Sequence, residues 1–255
     1  MFFSKKLSQF NNIRHSFFSK KNGVSKGIYK SLNCGLGSND KKKNIIRNLN
    51  LVSKSMNIEF KDLVLMNQTH SNKVTLVDKK NKNKRLNSDA LVTKLKGIGL
   101  GVLTADCVPI ILYDEKNNII GCVHAGWKGA ASGVIENTIK KFKKISSNNK
   151  IFASVGPCIG KKSYEVDLNF YRNFISKSKK NSIYFSKKNK LKKLFNLRKY
   201  VNDKLIKLNV KVDHVYHDTF RDKNRFFSYR RSQKLGENDY GRCISIISLT
   251  KFSQN

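Results

Sequence analysis

The stretch TADCVPIILYDEKNNIIGCVHAGWKG (residues 104–129) contains two apolar runs, VPIILYD and NIIGCVHAG, separated by polar residues. Runs of this length and composition predict two neighbouring β-strands joined as a hairpin. A turn centred on residues 116–117 places Pro109 opposite His124. Because side chains two apart share a strand face, Cys107 and His124 are predicted to lie diagonally on one face, with Cβ atoms about 7–8 Å apart.

A thiol and an imidazole at that separation suit two ligands that reach one metal ion between them. The third candidate ligand is His70 in QTHSNKV, which ends a strand-like run just before a predicted turn. Two histidines and one cysteine leave a fourth tetrahedral position open for water, the pattern of catalytic zinc. The long separation of His70 from Cys107 matches no zinc-finger spacing. Spacing alone therefore leaves open that Cys107 is an ordinary buried thiol and His124 an ordinary core histidine.

The rest of the chain predicts an α/β fold with mixed β-sheets and interspersed helices. Strand-like runs occupy residues 63–70, 73–78, 89–93, 97–114 (two strands), 118–126, 151–159, 212–219 and 243–249. Helical periodicity occupies residues 128–145, 167–175 and 190–208. Helices do not alternate strictly with strands, which disfavours a doubly wound parallel fold. We expect one compact domain over residues 1–255, with the lysine-rich span 176–193 as a large loop or insertion.

Charge and cysteine usage narrow the function classes. The net charge is +35, and lysine supplies 42 of the 52 basic residues. These lysines lie in predicted loops and on helix faces without interleaved aromatic residues, so we expect no specific nucleic-acid partner. The positive surface would still attract a small anion such as phosphate. The absence of long apolar segments argues against a membrane location, and five widely spaced cysteines indicate reduced thiols in the cytoplasm.

Six motifs, in order along the chain, resemble one known family. QTHSNKV, DALVT, TADCVPIILYD, VHAGWKG, GPCIGKKSYEV and FFSYRR…GR are similar to the motifs of the YfiH-like laccase-domain family, also called polyphenol oxidase or purine nucleoside phosphorylase proteins. The resemblance spans about residues 13 to 249. It implies a YfiH/CNF1-like fold and a metal held by His70, Cys107 and His124. These are the same three residues proposed above from the hairpin geometry and from the position of His70 before a predicted turn.

The resemblance also implies an activity on purine nucleosides. The implied reactions are phosphorolysis of adenosine, inosine, guanosine and methylthioadenosine, and hydrolytic deamination of adenosine. Zn²⁺ is the expected cofactor and Cu²⁺ the second option. His70, Cys107 and His124 then form the catalytic centre, and a purine nucleoside and phosphate are the expected small-molecule partners. Both a monomer and a homodimer stay open.

Four further residues are candidate substrate contacts. Arg230 and Arg231 in FFSYRR would position phosphate through charge-assisted hydrogen bonds. Asp106 beside the thiol and Asn33 in SLNCG are further pocket candidates, and each residue type is equally typical of turns and caps. The family motif has an acid after the two arginines, whereas this chain has Ser232. That departure puts any role of the carboxylate in question here.

Three alternative functions stay open. A copper-dependent polyphenol oxidase would use Met66 as a weak axial ligand. A cysteine hydrolase or amidase, including an enzyme that edits peptidoglycan precursors, would use Cys107 as nucleophile and His124 as base. A basic protein that binds RNA or membrane surfaces would use the lysines without any turnover.

Overall fold

The hairpin predicted from residues 104–129 lies at the centre of the larger of two packed β-sheets. The computed structural model describes residues 1–250. In that range the strands are β1 (Ile13–Phe17), β2 (Leu63–Asn67), β3 (Val74–Leu76), β4 (Leu86–Asn87), β5 (Ala90–Thr93), β6 (Gly99–Thr104), β7 (Val108–Asp114), β8 (Ile119–Ala125), β9 (Ile151–Val155), β10 (Glu165–Asp167), β11 (Phe185–Lys187), β12 (Lys192–Phe195), β13 (Lys211–His214) and β14 (Cys243–Leu249). The helices are α1 (Lys42–Ser55), α2 (Trp127–Ser132), α3 (Val134–Ile145), α4 (Leu168–Ser176), α5 (Leu197–Lys207) and α6 (Tyr229–Lys234).

The strands form mixed sheets. One has the order β13-β9-β7-β8-β5-β3, the second β1-β14-β6-β2-β4, and a small third sheet β10-β12-β11. Parallel pairs such as β2 with β6 stand beside antiparallel pairs such as β7 with β8. This architecture confirms the predicted α/β fold with mixed sheets and interspersed helices.

The register of the central hairpin is also as predicted. Pro109 lies opposite His124, and the turn occupies residues 115–118. All residues of β7 and β8 are buried, because other layers cover both faces of this sheet. A strand pair buried on both faces reads as two continuous apolar runs, as the sequence of this stretch does.

Four layers bury the core. The face of β8 that carries Val123 packs against α3 and α5, whereas the face that carries Cys122 packs against the five-stranded sheet. On the outer side of the five-stranded sheet, α1 packs through Ile45 and Leu49. The order of layers is therefore helices, six-stranded sheet, five-stranded sheet and helix.

Several element boundaries differ from the predictions. The helix predicted over 128–145 is two helices, α2 and α3, because Gly133 adopts a left-handed conformation between them. The helix predicted over 190–208 begins only at Leu197, where the side chain of Asn196 caps its N-terminus. The span 176–193 contains a 3-10 helix (Lys179–Tyr184), strand β11 and the first two residues of β12 instead of a plain loop. Helices α1 and α6 and strand β1 were not predicted.

Among residues 1–250, no helix combines the length and the apolar character that crossing a bilayer requires.

The break at Gly133 generates a prediction about stability. Its φ is +100°, and an added Cβ would meet only Glu136 Oε2, at 3.7 Å. Gly133→Ala should therefore cost about 1–2 kcal/mol from the backbone conformation alone. Gly37→Ala is the matched control, since its Cβ would enter open space and its φ is outside the left-handed region. Urea unfolding of both variants measures the difference, and equal midpoints would contradict this explanation of the break.

Candidate metal centre

The loop that carries His70 is held in place by the residue two positions earlier. Gln68 Nε2 donates to the carbonyl oxygen of Leu103 at 2.7 Å, and the Leu103 amide donates to Gln68 Oε1 at 2.9 Å. These two bonds continue the pairing of β2 with β6 beyond the last residue of β2. The chain then turns sharply, with His70 at a φ of 57°. The imidazole of His70 is exposed to solvent at the end of the sheet.

One fully buried carboxylate, that of Asp89, accepts hydrogen bonds from this loop and from the opposite strand. Its Oδ1 accepts from the His70 amide at 3.0 Å and faces His124 Nδ1 at 2.8 Å. Its Oδ2 accepts from the amide and hydroxyl of Ser71 at 2.6 and 2.7 Å and from those of Thr69, both at 3.2 Å. The contact with Nδ1 leaves the Nε2 atom of His124 free to bind a ligand.

Cys107 is partly exposed in the bend that joins β6 to β7. The preceding residue, Asp106, has a φ of 86°, and its buried carboxylate anchors the bend. Asp106 accepts from the Thr219 hydroxyl at 2.6 Å, the Ser228 hydroxyl at 2.9 Å and the Arg230 amide at 2.7 Å. The thiol therefore lies on a bend that is fixed to the start of α6.

These elements bring three donor atoms together. The ligand atoms of His70, Cys107 and His124 all lie within 4.8 Å of one another, and Cys107 Sγ is 3.9 Å from His70 Nε2. Ligands of tetrahedral zinc lie about 3.3–3.6 Å apart at ordinary bond lengths, so small side-chain movements suffice for all three to bind one ion. A Cβ on Gly126 would lie 2.9 Å from His70 Cδ2 and 3.0 Å from Cys107 Sγ. Glycine therefore keeps the space beside the donors open.

Cys107, His124 and Asp89 shift one another's pKa values. Burial opposes ionisation of Asp89, but hydrogen bonds from His124 and Ser71 outweigh it and hold the pKa of Asp89 well below its usual range. Burial disfavours a charged His124, yet the thiolate of Cys107 and the carboxylate of Asp89 raise the pKa of His124 to about 9. Burial likewise disfavours the thiolate, but the neighbouring histidines lower the pKa of Cys107 to about 7. Without a metal, the Cys107 thiol is thus more acidic than an ordinary cysteine, and the His124 ring is more basic than an ordinary histidine.

The four predicted substrate contacts lie in different settings. Arg230 donates to the carbonyl oxygen of Glu165 at 2.6 Å, and its guanidinium lies over the Tyr164 ring at 5.3 Å. The backbone amide of Arg230 donates to Asp106 at 2.7 Å, next to Cys107 in sequence, and burial raises the pKa of Tyr164. Arg231 instead donates to three backbone carbonyl oxygens.

The remaining two predicted contacts are hydrogen-bonded within the fold. The fully buried Asn33 accepts from the amides of Gly35 and Arg242, both at 2.9 Å, and donates to Ser38 and Asp40. Both carboxylate oxygens of Asp106 are engaged as described above. The structure therefore brings His70, Cys107 and His124 together, with Arg230 nearby, and gives Asn33, Asp106 and Arg231 partners inside the fold.

The other four cysteines are not members of the donor cluster. Cys34, Cys122, Cys158 and Cys243 are buried, and burial raises the pKa of each of these thiols. Met66, the axial ligand of the copper alternative, packs in the core between the two large sheets.

Comparison with known proteins places this arrangement in a family. The family model described as multi-copper polyphenol oxidoreductase laccase matches residues 14–250. The chain belongs to this laccase-like family. A Neisseria meningitidis structure of the family shares 28% identity, with a TM-score of 0.83 over 94% of this chain and 95% of that chain. The YfiH structure of Bacillus licheniformis shares 25% identity, with a TM-score of 0.87 over 94% of each chain.

Relatives in the laccase-like family are named as enzymes. A purine nucleoside phosphorylase of Rickettsia conorii is 35% identical over 205 residues, which cover 77% of this chain and 84% of the relative. A purine nucleoside phosphorylase of Haemophilus influenzae is 31% identical over 241 residues, covering 92% and 94%. The family recognised from the six motifs is thus confirmed.

Sequence reasoning missed Asp89 and Gln68 as site residues. Both lie in motifs that carried the resemblance, DALVT and QTHSNKV. For Asp89 the available signal was its charge at the start of a strand that is otherwise apolar, since a buried carboxylate must find hydrogen-bond donors. Their partners come from distant parts of the chain and are visible only in the fold.

The electrostatics of the cluster predict selective thiol chemistry. In chelator-treated protein, iodoacetamide should alkylate Cys107 far faster than the four buried cysteines. Because the pKa of Cys107 is lowered to about 7, the rate should rise as pH increases through about 7, below the range of an ordinary thiol. In His124→Ala the midpoint should move upward. Peptide mapping by mass spectrometry over a pH series measures this, and equal labelling of several cysteines would contradict the described environment.

Proposed function

We propose that this protein is a zinc-dependent purine nucleoside phosphorylase that also deaminates adenosine. The proposed phosphorolytic substrates are adenosine, inosine, guanosine and methylthioadenosine, each with phosphate. The observation that carries the proposal is the cluster of His70, Cys107 and His124, in a chain whose relatives are named purine nucleoside phosphorylase.

The donor set supports zinc. Two imidazoles and a thiolate are common zinc ligands, and three protein ligands leave one position for water or substrate. The contact of Asp89 with His124 Nδ1 is the carboxylate–histidine arrangement that orients metal ligands. When bound, zinc supplies Lewis acidity toward water or phosphate. The same donors also suit copper. Zinc is preferred because residues 1–250 offer one three-ligand cluster, which does not make a multicopper cluster.

The chain's own residues have distinct roles in this proposal. Phosphorolysis breaks the bond between C1′ and the base nitrogen and forms a bond from C1′ to phosphate oxygen, while deamination adds water at C6 and releases ammonia. Arg230 is proposed to hold phosphate, because its contact with Glu165 uses one of its five N–H donors. The substrate contacts proposed for Arg231, Asp106 and Asn33 lack this support and stay predictions.

A second candidate function has a specific observation in its favour. In a cysteine hydrolase, Cys107 would be the nucleophile, His124 the base, and Asp89 the acid that orients the base. The pKa of the Cys107 thiol is lowered to about 7. That chemistry needs a free thiolate and no metal. The two candidates therefore differ in their response to chelation.

The test is product analysis with zinc-loaded protein. Adenosine alone should give inosine, and adenosine with phosphate should also give adenine and ribose 1-phosphate. Chelation should stop both reactions, and added Zn²⁺ should restore them. Cys107→Ala should be inactive. Cys122 is a buried cysteine on the same face of β8 as His124, so Cys122→Ala should stay active with lower stability.

The outcomes separate the candidates. Full turnover of chelated protein, with loss of activity on alkylation, would favour the cysteine hydrolase. Loss of activity in Cys122→Ala while Cys107→Ala stays active would reverse the ligand assignment. Zinc-loaded protein that converts no purine nucleoside would overturn the proposed substrate class.

A further inference from the structure

Both histidines of the donor cluster are attached to the same carboxylate, although they come from different elements. His70 follows β2, whereas His124 lies within β8. One oxygen of Asp89 contacts the His70 backbone amide and the His124 ring, at 3.0 and 2.8 Å. Asp89 therefore links the backbone of His70 to the ring of His124.

We propose that Asp89 is the positioning residue of the metal centre and that it fixes both histidine ligands at once. For His124, contact at Nδ1 sets the rotation of the ring and leaves Nε2 to face the other donors. For His70, the contacts with the amides of residues 69–71 hold the backbone turn from which its side chain projects. This inference rests on the metal site of the proposed function.

The backbone of Asp89 reinforces the same geometry. Its carbonyl oxygen accepts from the His124 amide at 2.8 Å, and its amide donates to the Lys73 carbonyl oxygen at 3.1 Å. Asp89 is thus fixed by its main chain beside the residue whose ring it orients. A fully buried side chain with donors on both oxygens has little room to rotate, so its own position is well defined.

The β7–β8 hairpin offers a matched buried carboxylate at its turn, the end away from Cys107 and His124. Asp114 is fully buried and accepts from the Lys116 and Lys150 amides at 3.2 and 3.0 Å and from Asn117 Nδ2 at 2.8 Å. None of these partners is a metal-ligand candidate. Asp114 therefore reproduces the burial and hydrogen bonding of Asp89 without the connection to the histidines.

The experiment compares Asp89→Asn with Asp114→Asn in the full chain. In Asp89→Asn, the side-chain amide would present N–H donors where one carboxylate oxygen now accepts, so hydrogen bonds to the loop or to His124 Nδ1 are lost. Zn²⁺ affinity, measured by competition with a chelating dye, should fall about 10–100-fold in Asp89→Asn. The visible absorption spectrum of bound Co²⁺ should also change, because the ligand geometry changes. Asp114→Asn should lower unfolding stability and leave affinity and spectrum as in the wild type.

Each outcome bears on the inference. Wild-type affinity and Co²⁺ spectrum in Asp89→Asn would overturn it while leaving the proposed function intact. Absence of metal binding by the wild-type protein would overturn both the inference and the zinc-dependent function. If Asp89→Asn does not fold, Ser71→Ala decides, since it removes one hydroxyl donor to Asp89. A smaller loss of Zn²⁺ affinity in Ser71→Ala supports the inference, and unchanged affinity contradicts it.

Discussion

The antiparallel pairing of β7 with β8, buried on both faces, is the constraint on which the candidate centre depends. One face meets α3 and α5, and the other meets the five-stranded sheet. A slip of one residue would exchange these faces for every side chain of a strand. Packing on both sides therefore fixes the register, and the register places His124 beside the bend that carries Cys107.

A polar centre is stable at the edge of this apolar core because its charges are compensated locally. Burying an isolated carboxylate is costly unless hydrogen bonds replace water. For Asp89 the replacement donors are the loop that carries His70 and the ring of His124. The interactions that solvate the carboxylate are the ones that place the donors. Since His70 is exposed and His124 buried, the centre opens to solvent on the side of His70.

The sequence predicted the register of the central hairpin correctly, because the two apolar runs and the turn between them determine which residues lie opposite each other. It also predicted the fold class, and it proposed His70, Cys107 and His124, whose donor atoms the fold brings within 4.8 Å of one another. It did not reveal the Gly133 break, because the apolar periodicity continues through that glycine. Asp89 was missed because three of its six hydrogen-bond partners are backbone amides, which leave no residue-type signature, and the other three are side chains from segments distant in sequence. The strands of the third sheet are only three or four residues long, and β1 pairs with the distant strand β14. Local sequence patterns therefore do not define these strands.

X-ray absorption at the zinc edge, on protein loaded with one equivalent of Zn²⁺, tests the central claim most directly. The account predicts one sulfur ligand at about 2.3 Å and two imidazole nitrogens at about 2.0–2.1 Å, with one further light-atom ligand. The sulfur contribution should disappear in Cys107→Ala and persist in Cys122→Ala. A zinc spectrum without sulfur, or one that keeps its sulfur in Cys107→Ala, would contradict the assignment of His70, Cys107 and His124 as the metal centre.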